Sequence, residues 1–150
     1  MTVSPEGSMH LLAALDFSSV VTGQVAALSR LVAPGQVIHL LHVAEPDPSF
    51  IGMAAGPSEV REQVAREFRR EHDQLRAIAT ELREAGHEVH ALLVQGPTIE
   101  TILAEAERVG AGMIVVGSHG HGKLFDLVVG SVSAGVIRKA RVPVLVVPSR

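Results

Sequence analysis

Glycine and serine residues that could bind a phosphate group are concentrated in residues 117–133. This stretch reads G-S-H-G-H-G-K-L-F-D-L-V-V-G-S-V-S, and it follows the apolar run M-I-V-V, which predicts a buried strand. Glycine lets backbone amides approach an anion because it has no Cβ and tolerates positive φ. Gly130 and Ser131 stand where the next helical pattern begins, and the free N–H groups of a helix start attract phosphate. The stretch therefore predicts a ligand that carries phosphate.

Two common phosphate-loop motifs do not fit this stretch. The dinucleotide motif G-x-G-x-x-G starts at Gly120 and Gly122, but Phe125 occupies the position of the third glycine. The P-loop motif G-x-x-x-x-G-K matches residues 117–123, but Leu124 replaces the Ser or Thr that should hold Mg²⁺. We therefore interpret the P-loop match as a coincidence.

Short apolar runs alternate with helical patterns along the chain, which predicts right-handed β-α-β units and a parallel sheet. The predicted strands are residues 9–15, 37–43, 89–94, 113–116 and 142–147. A long charged helix that opens at Ser58 is expected to end at Gly86, a favourable C′ residue. Its predicted inward stripe consists of Val60, Val64, Phe68, Leu75, Ile78 and Leu82.

A third phosphate-binding pattern, G-x₂-G-x₉-G-[ST], is met by Gly117, Gly120, Gly130 and Ser131. This pattern resembles the nucleotide-binding signature of the universal stress protein family. The resemblance extends to an Asp that closes the first strand, a Gly-Pro after the third strand and a final V-P-V-L-V-V. It implies an α/β fold over residues 9–150, with an open five-stranded parallel sheet in the order 3-2-1-4-5 and helices on both faces. It also implies a homodimer and an ATP ligand.

In that strand order, the first and fourth strands are neighbours, and their carboxyl ends bound the crevice where open α/β sheets bind ligands. The resemblance implies three groups of contacts. Leu15 and Asp16 would face the adenine or ribose, and Val43 would contact the adenine. The ribose and first phosphates would be held by Val116, Gly117, Ser118, His119 and Gly120, and the phosphate tail by Gly130, Ser131, Val132 and Ser133. Two purely structural alternatives stay open: Asp16 and Ser131 could each simply cap a helix.

Composition excludes several other classes of protein. The chain has 150 residues, a formal charge of −3 and neither Trp nor Tyr, which argues against a basic, aromatic nucleic-acid surface. It has no Cys and hence no disulfide or thiolate site. We expect a cytoplasmic protein with a disordered tail over residues 1–8 and no membrane insertion, since no signal peptide or long apolar run is found.

The eight His residues do not predict a dedicated metal site. His39 and His42 are three apart on a strand and should point to opposite faces. His119 and His121 lack an accompanying carboxylate cluster beyond Asp126, although Mg²⁺ could arrive with a nucleotide. No G-x-S-x-G nucleophile motif is present, and no catalytic residue is predicted.

The final apolar run, residues 142–147, raises the question of what covers it. Pro143 cannot donate to a strand ladder, so this strand should begin there or lie at an edge of the sheet. An uncovered apolar edge favours self-association, and we predict a homodimer through this strand. The leading interpretation of the chain is an ATP-binding regulatory module with a further, unidentified protein partner. The alternative is a slow ATPase, or a phosphoryl- or nucleotidyl-transfer enzyme that uses the same crevice.

Overall fold

A computed structural model describes residues 8–17, 21–44, 58–118 and 130–148, with side chains described from residue 62 onward in the third of these ranges. The predicted tail, apart from Ser8, lies outside the described residues. The elements in chain order are β1 (His10–Ala14), α1 (Val21–Leu31), β2 (Val37–Ala44), α2 (Ser58–Glu84), β3 (Glu88–Gln95), α3 (Thr98–Arg108), β4 (Met113–Gly117), α4 (Ser131–Lys139) and β5 (Val144–Val147).

The strands form a five-stranded sheet in the order β3-β2-β1-β4-β5, and every described pairing is parallel. This confirms the predicted fold class and strand order. The central strands β1 and β4 are buried along their middle residues. Strands covered on both faces need apolar side chains on both faces, which explains the Val, Leu and Ile runs of the sequence.

Successive strand residues point to opposite faces of the sheet and so divide the core into two layers. Leu11 and Ala13 of β1 pack with α1 and α2 on one face, in a cluster that includes Leu28 and Leu75. Leu12 packs with α3 and α4 on the other face, in a cluster whose other members include Leu41, Ile102, Ile114 and Val136. The helices therefore cover both faces, as predicted.

The predicted stripe of α2 is only half correct. Leu75 and Leu82 are fully buried, whereas Val64 and Phe68 are 37% and 38% exposed. The 27 residues of α2 span about 40 Å. The eight residues of its neighbour β3 span only about 26 Å, so the first half of the helix reaches past the sheet. α2 ends at Glu84, and Gly86 follows at the predicted C′ position with φ +93°.

The last strand begins later than predicted, at Val144 rather than at residue 142. Pro143 precedes it and accepts a hydrogen bond at its carbonyl oxygen from the Ile114 N–H (3.0 Å). β5 is an edge strand, and Val144, Leu145 and Val146 are only partly covered. Within the described ranges, no helix combines the length and the apolar character that crossing a bilayer requires.

Candidate functional site

The carboxyl ends of β1 and β4 lie side by side near the middle of the sheet. The two strands pair through Ala13 and Val115, two residues before Leu15 and Gly117. α1 follows β1 onto one face of the sheet, and α4 follows β4 onto the other. An open sheet has a crevice where successive helices leave to opposite faces. Asp16 directly follows Leu15 and therefore lies across this crevice from Gly117.

Three hydrogen bonds fasten the end of β4 to the elements around it. The hydroxyl of Ser133 donates to the carbonyl oxygen of Gly117 (2.5 Å). The N–H of Gly130 donates to the carbonyl oxygen of Ser118 (2.7 Å). The N–H of Ser118 donates to the carbonyl oxygen of Val147 (2.8 Å). The start of α4 is thus held against the end of β4, although eleven residues of the chain separate Ser118 from Gly130.

The first turn of α4 presents backbone donors without an anionic side chain of its own. Gly130 is the N-cap residue, with φ −56° and ψ 160°, and glycine has no side-chain oxygen to cap the helix. Ser131 is the first helical residue and is exposed, so the alternative in which Ser131 acts as the N-cap is wrong. Residues 131–134 read S-V-S-A. The N-terminal amides and the helix dipole there favour an anion.

The start of α3 shows the same physical effect with an anion supplied by the chain. Glu100 lies in the first turn of α3. A hydrogen bond from its own backbone N–H, followed by the side chain of Lys139 at 3.3 Å, lowers the pKa of its carboxyl group. A helix start in this protein therefore stabilises a carboxylate. The first turn of α4 contains no carboxylate that could take this position.

The remaining predicted site residues differ in burial. Leu15 and Val116 are buried, while Asp16 is exposed. Val43 and Val132 are half-buried against the core layer under α3 and α4. The sheet thus brings the carboxyl ends of β1, β2 and β4 and the start of α4 to the same end of the sheet. His119 and Gly120 lie outside the described residues.

Two residues beside this end of the sheet were not predicted as part of a site. Phe17 adopts a left-handed backbone conformation, with φ +56°, which is uncommon for a bulky residue. His42 is only 8% exposed, and its Nδ1 lies 2.7 Å from the carbonyl oxygen of Leu15. A signal for His42 was present in the sequence, because a histidine inside an otherwise apolar strand needs a buried hydrogen-bond partner.

A cluster of three histidines lies toward the amino ends of β1, β2 and β3. His10 Nδ1 is 2.9 Å from His39 Nε2, and the His39 ring stacks between the rings of His10 and His90 with centroid separations of 5.2 Å. Burial, followed by the nearby His10, His90 and Arg108, lowers the pKa of His39. His39 and His42 point to opposite faces, as predicted. No group of three or more His, Asp or Glu in the part of the chain that the structure describes is arranged to hold a metal ion.

The sequence was compared with protein families and with known proteins. The model of the universal stress protein family matches residues 8–148. The chain belongs to the universal stress protein family. A universal stress protein of Thermus aquaticus is 33% identical over 121 residues, covering 81% of this chain and 84% of that protein. YxiE of Bacillus subtilis is 28% identical and covers 91% and 97%.

Other relatives match over shorter segments. Universal stress protein MJ0577 of Methanocaldococcus jannaschii is 39% identical over 75 residues, which cover 46% of its length. The match to Slr1230 of Synechocystis covers 22% of that protein. The solved structure of MJ0577 superposes with a TM-score of 0.77 at 27% identity, covering 95% of this chain and 96% of the other.

Two solved universal stress proteins contain nucleotides. The Arabidopsis thaliana protein with AMP bound has a TM-score of 0.69 at 21% identity and covers 95% of this chain and 92% of its own. A universal stress protein in complex with cAMP has a TM-score of 0.65 at 19% identity and covers 97% and 100%. At these identities the likeness concerns the fold alone.

Proposed function

We propose that this universal stress protein binds an adenine nucleotide, ATP in the first instance, at the carboxyl ends of β1 and β4. The observation that carries the proposal is the first turn of α4. It offers backbone donors and no carboxylate, and the bonds from Ser133 to Gly117 and from Gly130 to Ser118 hold it against β4. Phosphate is the natural anion for such a position. Mg²⁺, if required, would come with the phosphates.

The proposed contacts combine this placement with the roles that the family resemblance implies. The amides of residues 131–133 and the Ser131 hydroxyl would bind the phosphate tail, and Gly117 and Ser118 would lie along the ribose and first phosphates. Asp16 would accept hydrogen bonds from ribose hydroxyls, while Leu15 and Val43 would pack on the adenine. His119 and Gly120 belong to the proposed set because they continue the chain after Ser118.

Nucleotide occupancy is the basis of the proposed regulatory role. A ligand present at a hundred times its Kd stabilises the folded state by about 2.7 kcal/mol, which is a large change for one domain. Nucleotide bound between the ends of β1 and β4 would alter the surface that a partner protein meets. We propose a cytoplasmic homodimer, paired through β5, as the working form.

Isothermal titration with ATP, ADP, AMP and cyclic AMP tests the proposal. In the wild type, binding of at least one of these nucleotides is expected. The variant Ser131→Asp places a carboxylate in the first turn of α4, where it should weaken ATP binding at least tenfold. It should also slightly raise the melting temperature of the ligand-free protein, because the helix dipole favours the new charge. No binding by the wild type to any of the four would overturn the proposal.

A further inference from the structure

His42 occupies an unusual position for a polar side chain. It lies in β2, near the carboxyl edge of the sheet, and is only 8% exposed. Its register partner on β3 is the apolar Leu93. A buried imidazole must find hydrogen-bond partners to offset its desolvation. His42 finds its partner outside its own strand, at the point where β1 ends.

That partner is the carbonyl oxygen of Leu15, 2.7 Å from Nδ1. A carbonyl oxygen can only accept, so Nδ1 carries the proton and donates. The preceding carbonyl, that of Ala14, accepts a bond of 3.0 Å from the buried Gln24 side chain. Two consecutive carbonyl groups at the end of β1 are thus bound by buried side chains from two different elements. This end of the strand is fixed in position.

His42 also contacts the chain on the other side of Asp16. The ring of Phe17 lies 4.3 Å from the imidazole, centroid to centroid, with an interplanar angle of 39°. Phe17 holds the left-handed conformation, which is unfavourable for a non-glycine residue and persists where the surroundings hold it. One side chain therefore holds both neighbours of Asp16: Leu15 by a hydrogen bond and Phe17 by ring contact.

Helix α2 contacts the far side of the imidazole. Glu71 Oε1 lies 3.6 Å from His42 Nε2, and the Glu71 side chain is 26% exposed. The ring is therefore held between α2 and the end of β1.

We propose that His42 is a positioning residue for Asp16. This rests on the proposed function, since Asp16 is the residue expected to meet the ribose. The Asp16 side chain is short, so the backbone of residues 15–17 sets where its exposed carboxylate can lie. His42 sets that backbone before a nucleotide arrives, which lowers the ordering cost of binding.

The test uses matched variants of the full chain and titration with ATP. His42→Leu keeps the volume but removes the donor, and we expect three- to tenfold weaker ATP binding, the effect of losing about one hydrogen bond. His42→Asn places an amide near the Nδ1 position and should restore binding to within about twofold of the wild type. His39→Leu is the control, because His39 is equally buried on the same strand but contacts the other face.

A second variant covers the case in which His42→Leu does not fold. His42→Gln is polar but carries its amide near the Nε2 position, and it should weaken ATP binding as His42→Leu does. Faster amide exchange at Asp16 and Phe17 in the ligand-free variants is the accompanying observation expected. If His42→Leu or His42→Gln binds ATP as tightly as the wild type, or if His39→Leu weakens binding equally, the positioning role is wrong while nucleotide binding stands. If the wild type binds no nucleotide, the proposed function itself fails.

Discussion

The hydroxyl of Ser133 donates a 2.5 Å hydrogen bond to the carbonyl oxygen of Gly117, which joins the first turn of α4 to the last residue of β4. Ser133 is 3% exposed. Its proton is therefore used within the protein, and in the proposed complex only the backbone N–H of Ser133 would be left to meet the phosphate. Ser131, two residues earlier, is exposed. The two serines in the first turn of α4 therefore differ: the Ser133 hydroxyl is bonded inside the protein, and the Ser131 hydroxyl is at the surface.

Ser133→Ala should destabilise the protein by about 1–3 kcal/mol, because the carbonyl oxygen of Gly117 loses the hydrogen bond from the Ser133 hydroxyl. Ser131→Ala should change the unfolding free energy by no more than about 0.5 kcal/mol, because its hydroxyl is at the surface, and should weaken ATP binding instead. Urea denaturation and ATP titration of both variants separate the two effects. Equal stability losses in the two variants would contradict this division.

Among the stacked histidines, His39 should make the unfolding free energy depend on pH. Burial and the neighbouring His10, His90 and Arg108 lower the pKa of His39 below the ordinary 6.5. As pH falls through 6.5, the unfolded chain takes up this proton before the folded protein does, so the unfolding free energy decreases. The loss from His39 is complete once the pH is below its lowered folded-state pKa.

Urea denaturation between pH 8 and pH 5 measures this dependence, and His39→Leu is the comparison. As the pH falls, the unfolding free energy of the wild type should decrease more than that of His39→Leu. Subtracting one protein from the other removes the contribution of carboxyl groups that both share. A difference that stays constant over this range would show that His39 does not carry the effect.

The edge strand β5 predicts how the protein assembles. Leu145 is half-buried at that edge, and a charge on an edge strand opposes pairing with another chain. Wild-type protein should elute at twice the chain mass in light scattering, and Leu145→Lys should elute as a monomer. Glu88→Gln, at an exposed position of the other edge strand, makes the same change of one unit in net charge and is the control. Circular dichroism checks that both variants fold, and a monomeric wild type would rule out the proposed dimer.

The two halves of α2 should respond differently to truncation of their side chains. Leu75→Ala removes a fully buried side chain and should cost about 2–5 kcal/mol of unfolding free energy. Val64→Ala, at a side chain that is 37% exposed, should cost less than about 1 kcal/mol. Thermal unfolding of both variants makes the comparison. Similar losses would show that the first half of the helix is covered in solution.

Sequence reasoning predicted the strands, the two-sided helical cover and the ends of β1 and β4. These depend on local apolar patterns and on one extended resemblance. It could not predict that His10, His39 and His90 would stack, because strand register brings together residues that are 29 and 51 positions apart. The same limit applies to His42 and Leu15, which meet only when β2 lies beside β1. The exposed half of α2 was missed because helical periodicity contains no information on the length of the sheet below.

The N–H of Ser118 donates to the carbonyl oxygen of Val147, the final residue of β5. Ser118, the first residue after β4, is therefore bonded directly to the last residue of the outermost strand. The proposed nucleotide at Ser118 and a second copy paired through β5 would therefore act on two residues that are directly hydrogen-bonded. Filling of the crevice and association of two copies would then influence each other without a long chain of intermediates, and by thermodynamic reciprocity each would strengthen or weaken the other by the same factor.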